Sequence, residues 1–218
     1  MNRFRWWYNH VILFDYLYKT QIINSYKIPR LLKINVNTGV KQGVLDPKAV
    51  IPVIFTLKCI TNQKPIFTLA KKSIANYKLR KGFPIGVKVT LRDQQMEHFF
   101  DQLINIVLPR VRDFRGFKTS QFDTNSNLNI GIHDLFLFPQ IEAYYDLLSK
   151  DLGCTISINV SNNDYIPNSK YTYLKNKDQY QKRGITTNDP KHHPFKSIFT
   201  KEWNTLFFSN YQVPFLVS

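Results

Sequence analysis

The groups in this chain best suited to chemistry are cations without counter-ions. Between Gln63 and Arg92 the sequence QKPIFTLAKKSIANYKLRKGFPIGVKVTLR carries Lys64, Lys71, Lys72, Lys78, Arg80, Lys81, Lys88 and Arg92, and no Asp or Glu. Ammonium and guanidinium groups at this density are donors for phosphate oxygens. Phe67, Tyr77 and Phe83, interleaved among them, offer ring faces for stacking on bases or for anchoring a loop. Gly82 and Gly86 flank Phe83, Pro84 and Ile85 and let the chain turn tightly or approach another backbone closely. The same residues would also make a solvated basic hairpin whose aromatics belong to the core.

Catalytic chemistry finds little support. His10, His98, His133, His192 and His193 are scattered, and the neighbours His133 and Asp134 are accompanied by no serine elbow, carboxylate pair or metal-ligand spacing. The stretch Thr38, Gly39, Val40, Lys41, Gln42, Gly43 fits neither a Walker loop nor a dinucleotide-binding turn. Cys59 and Cys154 have no ligand spacing and read as free buried thiols of a reducing compartment. No enzyme activity, metal or cofactor is expected.

The whole chain supports a polyanion-binding reading. Its 218 residues are 43% hydrophobic, enough for a core, and carry a formal charge of +15 from 30 Lys and Arg against 15 Asp and Glu. Such a surplus is most easily tolerated when a polyanion neutralises it, nucleic acid first and anionic membrane second. Residues 1–60 hold nine bases against two acids, 61–92 eight against none, 93–160 are net negative by four and 161–218 net positive by four. The positive field therefore concentrates in the first 92 residues. The start, MNRFRWWYNHVILFDYLYKT, is interrupted by Asn9, His10 and Asp15 and reads as neither a signal peptide, a transit peptide nor a membrane span. Phe4 to Tyr18 could lie on a membrane as an amphipathic helix; packing on the domain is favoured, with Trp6, Trp7, Leu13, Phe14, Leu17 and Tyr18 covering a flank of the core. Heavy use of Phe, Tyr, Ile, Asn and Lys is compatible with an AT-rich organelle genome.

Local patterns supply the elements that position the cations. Leu31–Val36 alternates as a strand with Leu32, Ile34 and Val36 on one face and Lys33 and Asn35 on the other. Pro47–Ile60 reads as a short or irregular helix because of Pro52. A short strand follows Pro65, a basic hairpin-like segment runs from Lys71 to Gly86, and Gly86–Leu91 alternates as a strand. Asp93 can cap a helix from Gln94 to about Val107, ended by Pro109. Further strands are expected at Leu128–Ile132 and Cys154–Val160, with a helix near Glu142–Leu148 and a last one over Phe195–Phe208. The organisation predicted is an aromatic and basic N-terminal extension and helix (1–26), an α+β core (27–160), a polar insertion (161–195) that is surface or partner-ordered, and a C-terminal helix and tail (196–218).

At these segments the chain resembles large-subunit ribosomal protein five of bacteria and organelles. The resemblance rests on Ile28, Pro29 and Arg30 followed by KINVNTGV at 33–40, the whole of 63–92, LINIVLPRVRDFRG at 103–116, the stretch Asn129 to Ile141 ending in FPQI, and the terminal VPFLV. It covers about residues 27–160. It implies an α+β fold of one sheet packed with helices, and a non-catalytic place in the central protuberance of the large subunit. The implied partners are large-subunit rRNA, 5S rRNA where present, P-site tRNA, small-subunit protein thirteen and neighbouring proteins of the protuberance. Carried over by residue, rRNA binding falls on Asn35, Asn37, Thr38, Lys64, Lys71, Lys72, Arg92, Arg110, Arg112 and Arg115, with Asp113 ordering the turn. The tRNA-facing loop becomes Ser73 to Pro84, with Asn76, Tyr77, Lys78, Arg80 and Lys81 as contacts. The aromatic start and the segment 161–195 depart from the bacterial pattern, which points to a mitochondrion rather than a plastid. The competing reading from another class is a non-ribosomal RNA-binding adaptor of an organelle.

Overall fold

Segments that alternate apolar and polar residues become strands here, because a period of two sends every second side chain to the same face. A computed structural model of the chain describes residues 3–20, 28–44, 46–123, 126–145, 152–161 and 204–216. Five strands, β1 (Leu31–Gly39), β2 (Ile66–Leu69), β3 (Pro84–Leu91), β4 (Leu128–Ile132) and β5 (Cys154–Val160), form one sheet. Their order is β2-β3-β1-β5-β4 and every pairing is antiparallel. The helices are α1 (residues 3–20), α2 (Val50–Thr61), α3 (residues 93–110), α4 (Pro139–Glu142) and α5 (residues 204–210). This is the single-sheet α+β architecture expected from the sequence.

The helices gather against one face of the sheet. Ile34 and Val36 of β1, Val87, Val89 and Leu91 of β3, Leu128 and Ile130 of β4 and Ile156 and Ile158 of β5 are buried there. Val53, Leu57 and Ile60 of α2 and Phe99, Phe100, Leu103 and Val107 of α3 join the same core. Each fully buried aliphatic or phenyl side chain contributes roughly 1.5–3 kcal/mol, so the helices are held by the sheet's apolar face more than by helix propensity.

An aromatic cluster fastens both chain ends to α3. Phe100 lies 5.5 Å from Phe4 and 5.5 Å from Tyr211, and Phe207 lies 5.2 Å from Tyr211. The Trp7 indole N–H donates to the Asn210 carbonyl at 3.2 Å, and the Tyr8 hydroxyl donates to the Pro29 carbonyl at 3.2 Å. Burial pushes the phenols of Tyr16 and Tyr211 well above their ordinary range. The N-terminal helix thus packs on the domain, burying Phe4, Ile12 and Tyr16. No described helix is long and apolar enough to cross a membrane.

Several local expectations are corrected. Leu32, expected beside Ile34 and Val36, is 52% exposed, because the β1–β5 register shifts between Leu31 and Lys33 and lifts it out of the alternation. α2 is a regular helix of 12 residues, since Pro52 falls in its first turn, where its missing N–H costs no helical bond. Arg92, not Asp93, holds the capping position of α3, and Asp93 begins the helix at φ 48°. Pro109 does not end α3 before itself: a π turn at Leu103–Val107 adds one residue to the helical repeat, and the helix runs through Arg110. The helix expected near Glu142–Leu148 is the earlier turn Pro139–Glu142, with 146–148 outside the described residues. Of the expected polar insertion only Ser161 is described.

Candidate nucleic-acid interface

The second face of the sheet carries the polar partners of the same alternation. The antiparallel register sets Asn129 opposite Ser157, Ser157 opposite Asn35 and Asn35 opposite Thr90, one polar row across four strands. A second row runs Gly131, Thr155, Asn37, Lys88 and Ile66. Side chains within the first row, and Asn159 beside it, brace one another. The Ser157 hydroxyl donates to Asn129 Oδ1 at 2.7 Å, the Thr90 hydroxyl to Asn35 Oδ1 at 3.0 Å, and Asn35 Nδ2 to Asn159 Oδ1 at 3.2 Å. Gln63 Nε2 adds a bond to the Thr90 carbonyl at 3.2 Å. Lys33 and Lys88 are the charges on this face, and no strand residue on it is acidic. Alternation puts Gly86 on the same face, where only glycine fits because a Cβ would meet the Thr38 carbonyl at 2.5 Å. What results is a firm lattice of neutral donors and acceptors with cations at its margin, suited to sugar hydroxyls and phosphates rather than to bond-breaking.

The basic segment is a folded hairpin, not a loose coil. Beyond the β2–β3 pairing, Ala70 N–H donates to the Phe83 carbonyl at 2.9 Å, and Ile74 and Leu79 exchange bonds of 2.9 and 3.1 Å. A short turn at Ala75–Tyr77 closes on Lys78, which sits at φ 53°, and Gly82 at φ 89° supplies a conformation that a side chain would strain. Residues 71–78, Arg80 and Lys81 are exposed, Tyr77 by 72%. None of the described ion pairs uses a base from the segment 61–92, so its field is turned to solvent.

The expected site residues therefore fall into three groups. Asn35 and Asn37 stand on the open sheet face, with Lys64, Lys71, Lys72 and Arg92 exposed at the ends of the strands beside it. Asn76, Tyr77, Lys78, Arg80 and Lys81 share the hairpin. Arg110 ends α3, and Arg112 and Arg115 follow it on the helical side, apart from the sheet's open face; Arg110 is paired with Glu142 at 2.5 Å. Thr38 is not on the open face at all: it is fully buried on the core side, and its hydroxyl there has no hydrogen-bond partner. Sequence reasoning missed Asn129, Thr155, Ser157 and Asn159. The alternation of β4 and β5 carried that signal, but only the pairing of β5 with β1 shows that these residues extend the face of Asn35 and Asn37.

Elsewhere the chemistry is quiet. Burial raises the Cys154 thiol to about 12, so it stays protonated. Among the described residues no group of three or more His, Cys, Asp or Glu could hold a metal ion.

Comparison with known families decides the identity of this scaffold. Residues 24–80 match ribosomal protein L5, and residues 84–187 match the C-terminus of the same ribosomal protein family. The chain belongs to the ribosomal protein L5 family. It is 44% identical over 158 residues to the large ribosomal subunit protein uL5m of Reclinomonas americana, covering 72% of this chain and 87% of that one. It is also 44% identical over 157 residues to the large ribosomal subunit protein uL5 of Baumannia cicadellinicola, covering 67% and 86%. With the uL5 of Herminiimonas arsenicoxydans it shares 40% over 158 residues, covering 72% and 87%. The first match ends within the hairpin at residue 80 and the second begins with β3 at residue 84, so both matches contribute strands to the single sheet. As an L5-family protein the chain is a ribosomal component concerned with large-subunit rRNA, and its role is structural rather than catalytic.

Proposed function

We propose that this L5-family protein serves in the central protuberance of a mitochondrial large ribosomal subunit, where its open sheet face holds rRNA and its hairpin touches P-site tRNA. The observation that carries this reading is the acid-free polar face: rows of mutually bonded amides and hydroxyls through Asn129, Ser157, Asn35 and Thr90, bordered by Lys33, Lys88 and the basic hairpin. Neutral side chains in such rows hydrogen-bond sugar hydroxyls and base edges, while the surrounding cations take phosphates and fix the register. The rRNA is 5S rRNA where the ribosome has one.

On this reading Asn35, Asn37, Lys64, Lys71, Lys72 and Arg92 act together on one RNA surface. Arg110, Arg112 and Arg115 serve a separate contact on the helical side, with rRNA or with a neighbouring protein of the protuberance. Asn76, Tyr77, Lys78, Arg80 and Lys81 meet the tRNA backbone without reading its bases, and small-subunit protein thirteen is met across the subunit interface. Thr38 is left out of the RNA contacts, since its hydroxyl faces the core. The mitochondrial assignment draws on composition and on a mitochondrial relative.

Fractionation of organelle lysate on a sucrose gradient, followed by RNA crosslinking to the protein, tests the reading. Recovery with the large subunit and crosslinks to 5S or central-protuberance rRNA are expected. A free peak carrying other small RNAs would move the function to a non-ribosomal adaptor.

A further inference from the structure

The basic hairpin is closed by backbone bonds in two separate places, with a gap between them. At its base the Ala70 N–H donates to the Phe83 carbonyl at 2.9 Å and the Gly82 N–H to the Ala70 carbonyl at 3.0 Å. At its tip Ile74 and Leu79 exchange bonds of 2.9 and 3.1 Å. Between these pairs one arm holds three residues, Lys71, Lys72 and Ser73, and the other holds two, Arg80 and Lys81, so the arms fall out of ladder register. Four of the five are exposed cations, and none of the described ion pairs involves them. Like charges on facing arms push the arms apart.

One side chain spans this gap. The Ser73 hydroxyl oxygen accepts the Lys81 N–H at 3.0 Å, and among the described residues no backbone bond joins the two arms in the interval. A side-chain oxygen thus stands in for the carbonyl that the interrupted ladder fails to supply, as serine hydroxyls do in turns. Released from it, the tip with Tyr77 and Lys78 would swing on the base, and Arg80 and Lys81 would move with it. We infer that Ser73 is a positioning residue of the hairpin: its hydroxyl fixes the tip to the base, so that Lys78, Arg80 and Lys81 present one charge pattern to the tRNA backbone. The inference rests on the reading of the hairpin as a tRNA contact. A bond of this kind shifts the population of the competent hairpin roughly three- to tenfold, and the apparent affinity falls with that population.

The test compares Ser73→Ala and Ser73→Thr in assembled ribosomes, by filter binding of P-site tRNA over a range of salt concentrations. Ser73→Ala should weaken binding roughly three- to tenfold. It should also flatten the salt dependence, because cations held less firmly neutralise fewer phosphates. Ser73→Thr, which keeps the hydroxyl, should bind as the parent does. In the full-length protein, the Lys81 amide should exchange with solvent faster in Ser73→Ala than in the parent, with the melting temperature unchanged. The double variant Lys78→Asn with Arg80→Ala separates the inference from the reading beneath it. Weaker tRNA binding by that variant with parent-like binding by Ser73→Ala overturns the inference alone, and parent-like binding by both overturns the reading and the inference together. Equal weakening by Ser73→Ala and Ser73→Thr, or parent-like exchange of the Lys81 amide in Ser73→Ala, overturns the inference as well.

Discussion

The two faces of one sheet are built from neighbouring residues of the same strands, yet they do opposite work. On the covered face Ile34, Val36, Val87, Val89, Leu91, Ile156 and Ile158 are buried against helices. On the open face Asn35, Lys88, Thr90, Ser157 and Asn159, one residue away along the chain, bond to one another or face solvent. A period of two thus writes a core and a binding surface into one stretch of chain, and the covered face makes the open one rigid. Pre-organisation matters for the second task, because side chains already fixed lose less freedom when RNA binds.

Substitutions that separate the two faces should differ in kind. Phe100→Ala, in the core between Phe4 and Tyr211, should lower unfolding free energy by about 3–5 kcal/mol, read by chemical denaturation, while the folded fraction keeps its RNA affinity. Alkaline pH should act on the same side. Tyr16 and Tyr211 have folded-state pKa values raised by burial above the ordinary phenol value of 10.0, so the stability they contribute is full below that pH and is lost as pH rises toward the folded values. The loss has a limiting slope of about 1.4 kcal/mol per pH unit for each phenol, and thermal melts between neutral and strongly alkaline pH should show α1 and α5 detaching first.

The open face should respond the other way. Lys88→Glu places an acid in the polar row and should weaken rRNA binding by roughly 1–2 kcal/mol, with a shallower salt dependence, while stability moves by no more than about 0.5 kcal/mol. A fall in stability as large as that of Phe100→Ala would erase the distinction between the faces. The hairpin should give the smallest effect. Lys78→Asn, which tolerates the left-handed turn, together with Arg80→Ala, should cost about 1 kcal/mol or less in tRNA affinity of assembled ribosomes and leave assembly intact. Unchanged tRNA affinity would sink the hairpin's role.

Much of this was legible in the sequence because alternation is local. Gly86 to Leu91 showed Val87, Val89 and Leu91 as one face before any pairing was known, and the acid-free run 63–92 showed where the field would concentrate. Thr38 shows where motif transfer outran physics: two residues beyond Val36, it had to share the core face, and the structure puts it there. The rows through Asn129, Ser157 and Asn159 were illegible for a different reason, since β5 lies more than a hundred residues from β1 and only long-range register aligns them. The extra residue of the π turn in α3, which carries the helix past Pro109, likewise depends on packing of Leu103, Ile104 and Val107 and leaves no local signature.

The account rests on RNA lying against the open face, and a tethered probe tests it directly. Gly131 sits in the second polar row with open space where a Cβ would go, so Gly131→Cys is accommodated. In a background lacking the native Cys59 and Cys154, iron-EDTA attached there should cleave rRNA in assembled large subunits, and the same probe on Ile51→Cys of α2 should leave that RNA segment uncut. Cleavage of it from Ile51→Cys with none from Gly131→Cys would contradict the account.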